Sequence, residues 1–329
     1  MNMEMVQFGQ TKLQVTRLGL GLAALGRPGY INLGHHEDLS NRYEVGEMER
    51  TTHDVLELAY KNGIRYFDAA RSYGRAESFF ASWHRSNNDL VIGSKWGYTY
   101  TAGWRVNAQQ HEIKEHSINV LNRQWIETLN SLGRFPDIYH IHSASEESKV
   151  LENKDVLERL WQLKEQGTVI GLSLSGPNQG TTLEKSLEIK NGEKQLFQSV
   201  QVTWNLLERS TTGILKKASK AGYGIIVKEA LANGRLTSRN KSRLFSDKLK
   251  VLKSIAERHG VSEDALAIAY ILKQPWASIV LSGAATAAHL VSNINALKID
   301  LHSSDIRLLN QLVEPPEDYW TIRADLAWN

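Results

Sequence analysis

Three strand-like segments of this sequence end in a residue that can take part in acid–base chemistry. Asp68 follows the apolar run IRYF, Lys95 follows LVIGS, and His142 ends DIYHIH. Tyr73 lies five residues beyond Asp68 and is followed at once by a glycine. Because the carboxyl ends of parallel barrel strands share one face, we expect these four side chains to meet there. Together they could move a proton to or from a substrate oxygen.

Each of these residues also has a purely structural interpretation. Asp68 could cap the helix that follows it, and Tyr73 could be a packing aromatic. Packing alone does not readily explain why three successive strands each end in an ionisable residue. We therefore interpret the pattern as a site for chemistry.

The segments that must position these residues indicate an α/β barrel. Short apolar runs alternate with amphipathic helical patterns, and a barrel of this kind commonly occupies the length of 329 residues as one domain, here residues 1–329. Residues 6–18 show two alternating runs around a polar turn. Segments 26–46 and 96–110 lack periodicity and follow strands, so we expect loops over the active face. Residues 313–329 form a C-terminal tail.

Composition excludes several functional classes. Hydrophobic residues make up 41% of the chain and charged residues 23%, which is ordinary for a globular protein. The net charge of +3 comes from scattered basic residues and does not indicate a nucleic-acid partner. The chain has no cysteine, which excludes disulfides and thiolate catalysis. No apolar run is long enough to span a membrane, so we expect a cytoplasmic protein without a membrane partner.

In its chemically active segments the sequence resembles the aldo-keto reductase superfamily. The matching stretches are FDAARSYGRAE around Asp68 and Tyr73, VIGSKWG around Lys95, and DIYHIH around His142. The family's catalytic Asp, Tyr, Lys and His occur in this chain order, and the resemblance extends from RLGLGLAALG to Asn293. It implies a (β/α)8 TIM barrel whose bottom is closed by the N-terminal hairpin. It also implies an NAD(P)-dependent oxidoreductase that interconverts a carbonyl (aldehyde, ketone or sugar) and an alcohol.

The resemblance assigns a role to each of the four residues. Tyr73 would be the general acid or base, although a phenol with the ordinary pKa of about 10 is a weak acid at neutral pH. A charged Lys95 beside it is expected to lower that pKa, and Asp68 to keep the ammonium charged and fixed. His142 would hydrogen-bond the substrate oxygen and orient it.

A dinucleotide site is implied as well. Ser173 and Gln201 match ligands of the nicotinamide carboxamide, and the helix that opens at Gly283 offers free N–H groups to a phosphate. The glycine and backbone amides of ALANGRL suit the pyrophosphate. The expected cofactor-binding residues are Gly21, Leu22, Ser173, Gln201, Lys228, Leu231, Asn233, Gly234, Leu236, Gly283, Ala284, Thr286, His289 and Asn293.

Two positions depart from the family pattern. Leu174 replaces an asparagine that pairs with the carboxamide serine, and Lys228 stands where the family commonly has an aromatic ring that stacks on the nicotinamide. A lysine cannot stack in this way, although its ammonium could meet a phosphate or a substrate oxygen. Trp204 is our candidate for the stacking role.

The preference between NAD and NADP depends on basic residues near the adenosine. Members that prefer NADP place Lys or Arg within the region corresponding to residues 283–289, and this chain has none there. This favours NAD. Arg239, Lys241 and Arg243 could still reach the pocket for a 2′-phosphate.

The substrate is expected to be a small carbonyl compound or alcohol. Tyr30, Trp96, Tyr98 and Trp104 lie in or beside loops of the active face and are expected to line the pocket. Aromatic platforms suit sugars, lactones or flat rings, but the same residues could simply pack the loops. The sequence does not distinguish a monomer from a homo-oligomer.

Two other functions remain open from the residues. Some members of the superfamily are dinucleotide-sensing partner subunits with little turnover, and the two departures from the family pattern are compatible with that role. A metal-dependent hydrolase could use the His-x-His pair of His140 and His142. Against it, no other strand end supplies a histidine and Lys95 would repel a cation, so we predict no metal.

Overall fold

Eight parallel strands close into a barrel in the computed structural model, which describes residues 3–83 and 89–329. Each strand pairs with the next along the chain, and the last pairs with the first through Val280 and Leu18. Nearly every strand residue is buried, which explains the continuous apolar runs. The strands are β1 Leu18–Gly21, β2 Tyr66–Asp68, β3 Val91–Trp96, β4 Ile138–Ile141, β5 Val169–Ser173, β6 Ser199–Thr203, β7 Gly224–Lys228 and β8 Ile279–Ser282.

Helices surround the barrel, and each buries one apolar face against it. In α1 the buried residues include Val55, Leu56 and Ala59, at helical spacing. The helices are α1 Val45–Lys61, α2 Ala76–Trp83, α3 Ile118–Leu132, α4 Lys154–Glu165, α5 Gln179–Leu187, α6 Thr212–Lys220, α7 Ser246–His259, α8 Glu263–Leu272, α9 Ala287–Ile294, α10 Ser303–Asn310 and α11 Pro316–Ala324. Shorter helical segments are His35–Asp38, Val150–Glu152, Ala232–Gly234, Arg243–Phe245 and Asn295–Lys298. Among the described helices, none has the length and apolar character needed to cross a bilayer.

An N-terminal hairpin closes the end of the barrel where the strands begin. Its strands are Met5–Gln7 and Gln14–Thr16, paired antiparallel. Phe8, at the turn, is fully buried, and its ring lies so close to Gly224 that a Cβ there would be 2.5 Å away. The first residue of β7 must therefore be a glycine for the hairpin to seat.

The segments expected to be loops over the opposite face contain regular structure. Tyr98–Tyr100 pairs antiparallel with Glu112–Lys114, so the segment predicted at 96–110 contains the first strand of a small hairpin and the connection that follows it. The tail forms α11, which is fixed to the barrel by a hydrogen bond from Asn205 Nδ2 to Tyr319 Oη of 3.0 Å. The C-terminal face is thereby covered by the chain's own ends and loops.

Candidate active site

A buried ion pair lies at the carboxyl end of β2 and β3. Lys95 Nζ donates to Asp68 Oδ2 at 2.5 Å and to the Ala69 carbonyl at 2.9 Å. The other carboxylate oxygen, Oδ1, accepts from Tyr66 Oη at 3.0 Å and from Gln201 Nε2 at 2.8 Å. The Lys95 side chain is completely buried. Asp68 therefore has a hydrogen-bond donor at each oxygen, as a buried carboxylate requires.

Tyr73 is held above this pair by two glycines. Gly74 has a φ of 59°, a left-handed conformation in which glycine is favoured, and a Cβ there would be 2.5 Å from the Gly26 carbonyl. Lys95 Nζ lies 4.7 Å from the centre of the Tyr73 ring, within range of a cation–π contact. Among the described residues, no hydrogen bond joins the phenol to the ammonium. The two groups nevertheless share one small volume.

His142 follows β4 and faces the same volume. Its ring centre lies 5.6 Å from that of Tyr73, edge to face, and 4.8 Å from that of Tyr98. Its Nδ1 is 3.4 Å from Ser72 Oγ. Burial holds the pKa of His142 well below its ordinary value, and the charges of Lys95, Lys228 and Arg27 lower it further. The imidazole is therefore neutral at neutral pH and can donate a single N–H.

The pKa of Tyr73 is shifted in the direction opposite to our expectation. Burial, and after it the charge of Asp68, raises this pKa well above its ordinary value, and Arg27 opposes the shift. Burial also lowers the pKa of Lys95, while Asp68 acts in the opposite direction. The expectation considered only the Lys95 charge and neglected the desolvation of the phenol. The phenol is protonated at neutral pH, the form that can donate a proton.

Arg27 was missed by the sequence reasoning and contributes to this end of the site. Its guanidinium carbon lies 5.2 Å from the centre of the Tyr73 ring, and Nη1 donates to Glu112 Oε2 and the Ser72 carbonyl, both at 3.0 Å. The ring centre of Trp328, in the tail, lies 4.8 Å from the same guanidinium carbon. A basic residue in the long loop after β1 was the signal that could have identified it.

Lys228, at the end of β7, belongs to a second charged group. Its Nζ donates to Thr203 Oγ1 at 3.0 Å and lies 3.9 Å from Glu229 Oε1. Arg323 of α11 donates to the same Glu229 oxygen at 2.6 Å. Burial lowers the pKa of Lys228 to about 8, and Glu229 opposes that shift. Glu229 and Arg323 were also missed, because their pairing joins residues 94 positions apart.

A cavity of about 640 Å³ opens over these groups at the C-terminal face. Its size is within the range of small-molecule and cofactor sites. Half of the residues predicted for the site line it: Gly21, Tyr30, Asp68, Tyr73, Tyr98, His142, Gln201, Lys228, Leu231, Asn233 and Gly283. The other half do not line it: Leu22, Lys95, Trp96, Trp104, Ser173, Gly234, Leu236, Ala284, Thr286, His289 and Asn293.

The tryptophans predicted to face the pocket pack elsewhere. Strand residues alternate between the two sides of a sheet, so Lys95 faces inward and Trp96 packs outward in the core, with its ring 5.6 Å from His116. Trp104 packs on Phe79, 6.1 Å between ring centres, in a small cluster beside the barrel. Trp204, our candidate for stacking on the nicotinamide, is buried in the core. The structure thus corrects the predictions for Trp96, Trp104 and Trp204, none of which lines the cavity.

Unpaired polar atoms indicate where a cofactor fits. Gln201 Oε1, Asn233 Oδ1 and Ser173 Oγ are buried and have no hydrogen-bond partner in the described part of the chain. Buried polar groups ordinarily have partners, so such atoms require a ligand or water. Ser173 and Gln201 are neighbours in the β5–β6 register. Gly283 lines the cavity, and a Cβ there would meet nothing within 4 Å. These residues fit the carboxamide and phosphate groups of a nicotinamide dinucleotide.

The residues predicted for the adenosine half belong to α9, with Thr286 at its start and Asn293 in its last turn. Thr286 caps this helix by accepting from His289 N at 3.2 Å, and Asn293 bridges Ser282 and Asp264. Their side chains already have protein partners. A ligand would therefore meet the backbone amides here.

Arg239, which could have reached a 2′-phosphate, is already engaged by a carboxylate. It donates through both terminal nitrogens to Asp38, with Nη1 to Oδ2 at 2.7 Å. His289 Nε2 lies 3.6 Å from the same carboxylate. The acidic partner comes from the long loop after β1, at a position to which our prediction gave no role.

His140 and His142 do not share a ligand position. His140 is buried inside the barrel against Gly171, and its Nε2 lies 2.9 Å from Ser199 Oγ. His142 is at the rim. Within residues 3–83 and 89–329, no group of three or more His, Cys, Asp or Glu side chains is arranged to hold a metal ion.

A closed parallel barrel with ionisable groups around a cavity at its carboxyl end defines a (β/α)8-barrel protein with an enzyme-like site. A sequence profile described as the aldo/keto reductase family matches residues 17–314. The chain belongs to this family. It is an oxidoreductase of the carbonyl and alcohol type, and members of the family generally use NAD(P)H.

Individual relatives are distant but cover most of the chain. The chain is 25% identical to an L-glyceraldehyde 3-phosphate reductase of Escherichia coli, with 97% of each chain covered. It is also 25% identical to a probable aryl-alcohol dehydrogenase of Saccharomyces cerevisiae, over 82% of this chain and 90% of that one. Among solved structures, an aldo-keto reductase from Bacillus halodurans in a holo form has a TM-score of 0.74 at 20% identity, covering 95% of this chain and 97% of that one. That likeness shows the fold.

Proposed function

We propose that this protein transfers hydride between a nicotinamide dinucleotide and a small carbonyl compound or alcohol, with Tyr73 as the general acid or base. The observation that carries the proposal is the meeting of Asp68, Lys95, Tyr73 and His142 at one end of a cavity that also contains unpaired amide oxygens. The cofactor, when bound, supplies the hydride. The chain supplies orientation and the proton.

The proton chemistry follows from the charge states of the side chains. The neutral Tyr73 phenol donates its proton to the oxygen that becomes an alkoxide as the carbonyl is reduced. The neutral His142 orients that oxygen through its single N–H. The buried Lys95 ammonium, 4.7 Å from the Tyr73 ring centre, stabilises the phenolate left behind, while Asp68 keeps the ammonium in place. Alcohol oxidation runs through the same groups in reverse.

The cofactor preference we propose is NAD over NADP. Arg239 is close to the adenosine end but is held by Asp38 through two hydrogen bonds. A bidentate arginine–carboxylate pair uses the donors that would bind a phosphate. A comparison of NADH with NADPH as the reductant tests this preference directly.

The proposal for Tyr73 is tested by removing its hydroxyl. Tyr73→Phe should lower turnover on the order of a thousandfold, since a positioned acid or base contributes about 10²–10⁴-fold. The dissociation constants of the dinucleotides should change by less than about threefold, because the aromatic ring remains. Steady-state assays would use a panel that begins with aldehyde phosphates and aryl aldehydes, the classes named for the relatives. Fluorescence titration would measure dinucleotide binding.

Tyr223→Phe is the matched control. Tyr223 is buried outside the cavity, and its hydroxyl donates to the Ser186 carbonyl at 3.2 Å. Losing this hydroxyl should leave turnover within about twofold of the parent. Unchanged turnover in Tyr73→Phe would contradict the assignment. Tight dinucleotide binding by the parent with no turnover on the panel would instead favour the dinucleotide-sensing function.

A further inference from the structure

One ammonium group in the cavity wall shares its carboxylate with another cation. Lys228 Nζ donates to Thr203 Oγ1 at 3.0 Å and lies 3.9 Å from Glu229 Oε1. That carboxylate is already bound by Arg323 at 2.6 Å and by the Thr203 hydroxyl at 3.1 Å. Two cations and one anion leave a net positive charge at this part of the wall.

Two further carboxylate–cation pairs beside the cavity are matched one to one. Asp68 is paired with Lys95 at 2.5 Å, and Glu112 with Arg27 at 3.0 Å. Neither pair has a carboxylate to spare for Lys228. The remaining carboxylate of the cavity lining, Glu147, interacts with Lys114, so the unmatched positive charge is at the end of β7.

The strand register places this charge near the predicted carboxamide ligand. Thr203 is paired with Lys228 across β6 and β7, and Gln201 precedes Thr203 by two residues on the same face of β6. Two residues along a strand span about 7 Å. Gln201 and Lys228 both line the cavity, and Gln201 Oε1 has no partner in the part of the chain that the structure describes. A group that satisfies Gln201 thus lies close to the ammonium of Lys228.

The two redox states of a nicotinamide ring differ in charge. The oxidised ring is a cation and the reduced ring is neutral, so a neighbouring ammonium repels only the oxidised form. Where solvent is scarce, charge–charge interactions are several times stronger than in bulk water. We propose that Lys228 makes this cavity bind the reduced dinucleotide in preference to the oxidised one, an inference that rests on the proposed function.

The position of Lys228 gives this charge its significance. Lys228 departs from the aromatic ring that is common at this position in the family, and a ring that stacks carries no charge. An ammonium instead distinguishes the two redox states by electrostatics. Burial lowers the pKa of Lys228 only to about 8, so the group is charged at pH 7.

The experiment compares the dissociation constants of NADH and NAD⁺, and of NADPH and NADP⁺, at pH 7 by calorimetric or fluorescence titration. The quantity of interest is the ratio of the oxidised to the reduced constant. In Lys228→Met and in Lys228→Gln this ratio should fall on the order of tenfold, because both remove the charge. In Lys228→Arg, which retains the charge, it should stay within about threefold of the parent.

Lys114→Met is the matched control. Lys114 also lines the cavity, but it is an exposed residue whose ammonium donates to Ser145 Oγ at 3.1 Å. The ratio in this variant should stay within about twofold of the parent. If the ratio fell in Lys114→Met as much as in Lys228→Met, the effect would be a general one of net charge and the inference would be overturned.

The remaining outcomes separate the inference from the proposed function. If Lys228→Met and Lys228→Gln bind the dinucleotides with the same oxidised-to-reduced ratio of dissociation constants as the parent, the inference is wrong and the proposed function stands. If the parent binds none of the four dinucleotides, both are wrong.

Discussion

At the scale of single residues, burial decides the charge states on which the site depends. The phenol of Tyr73 and the imidazole of His142 are both kept neutral by desolvation first, and then by the nearby charges of Asp68 and Lys95, respectively. Lys95 and Asp68 are buried as a pair, with each carboxylate oxygen hydrogen-bonded. Glu229 offsets the burial of Lys228 only in part, and the pKa of Lys228 is lowered to about 8.

The buried charge of Lys228 should destabilise the fold at neutral pH. Its pKa is about 8 in the folded protein and about 10.5 in the unfolded chain, so between these values the unfolded state binds more protons. Stability therefore rises with pH through this window, and the penalty is fully present below pH 8. Since 16% of the side chain is exposed, we expect Lys228→Met to gain roughly 1–2 kcal/mol at pH 7. Urea unfolding would show the gain shrinking toward pH 10, and a gain equal at both pH values would contradict this account.

The sequence predicted the chemically active residues better than the residues around them. Asp68, Lys95 and His142 each lie at or next to the end of a strand, and that position alone directs them to one face of the barrel. Trp96 was chosen because it adjoins Lys95, yet adjacent strand residues point to opposite sides. Trp104 has a φ of 63°, and its contacts come from distant parts of the chain, which no local pattern reveals.

At the scale of secondary-structure elements, α11 is the part of the tail that completes the cavity. Arg323 of this helix binds Glu229 through Nη2 and Nε, and Tyr319 accepts a hydrogen bond from Asn205. The sequence could not predict that this helix covers the cavity, because its anchors, Glu229 and Asn205, lie 94 and 114 residues away in the sequence. The hydrophobic pattern, by contrast, was sufficient to predict the barrel strands.

The ion pair between Arg323 and Glu229 should fix α11 to the barrel. Arg323→Met leaves a buried carboxylate with fewer partners, which should cost about 2–4 kcal/mol of stability. Hydrogen exchange of residues 316–324 should accelerate at least tenfold, while the β3 amides exchange as before. Arg323 and Lys228 hold the pKa of Glu229 at about 2, against the effect of burial. The ionised Glu229 therefore contributes stability above about pH 4.5, and this contribution is lost as pH falls toward 2.

The pH dependence of the unfolding free energy distinguishes the contribution of the Arg323–Glu229 ion pair from that of ordinary packing. The difference in unfolding free energy between parent and Arg323→Met should narrow as pH falls from 5 toward 2, because the parent then loses the stability that the ionised Glu229 contributes. The control is Arg307→Met on α10, an exposed arginine whose replacement should change stability by less than about 0.5 kcal/mol. Unaltered exchange in α11 of Arg323→Met would show that the helix is anchored by other contacts.

At the scale of the whole molecule, the barrel separates stability from chemistry. The hairpin and Phe8 seal the end where the strands begin, together with an inner layer that includes Tyr66 and Ile226. The cavity lies at the other end, where the loops and α11 meet. If stability and chemistry are separated in this way, substitutions at the sealed end should leave the activity unchanged.

Phe8→Ala should destabilise the protein without altering the cavity. The Phe8 ring is completely buried against the backbone of Gly224, and truncation of such a ring costs about 3–5 kcal/mol through lost burial and the void that remains. The Michaelis constant and turnover of the folded variant should stay within about twofold of the parent. Denaturant unfolding would show a lower midpoint with an unchanged slope, since the native and unfolded surfaces are nearly the same.

Leu244→Ala is the control for Phe8→Ala, because the Leu244 side chain is 99% exposed and its truncation removes almost no buried surface. Its unfolding midpoint should match the parent. If Phe8→Ala were as stable as this control, the hairpin would contribute nothing to closing the barrel. If instead Phe8→Ala lost turnover while remaining folded, the two ends of the barrel would be coupled, and the separation between the sealed end and the cavity would be wrong.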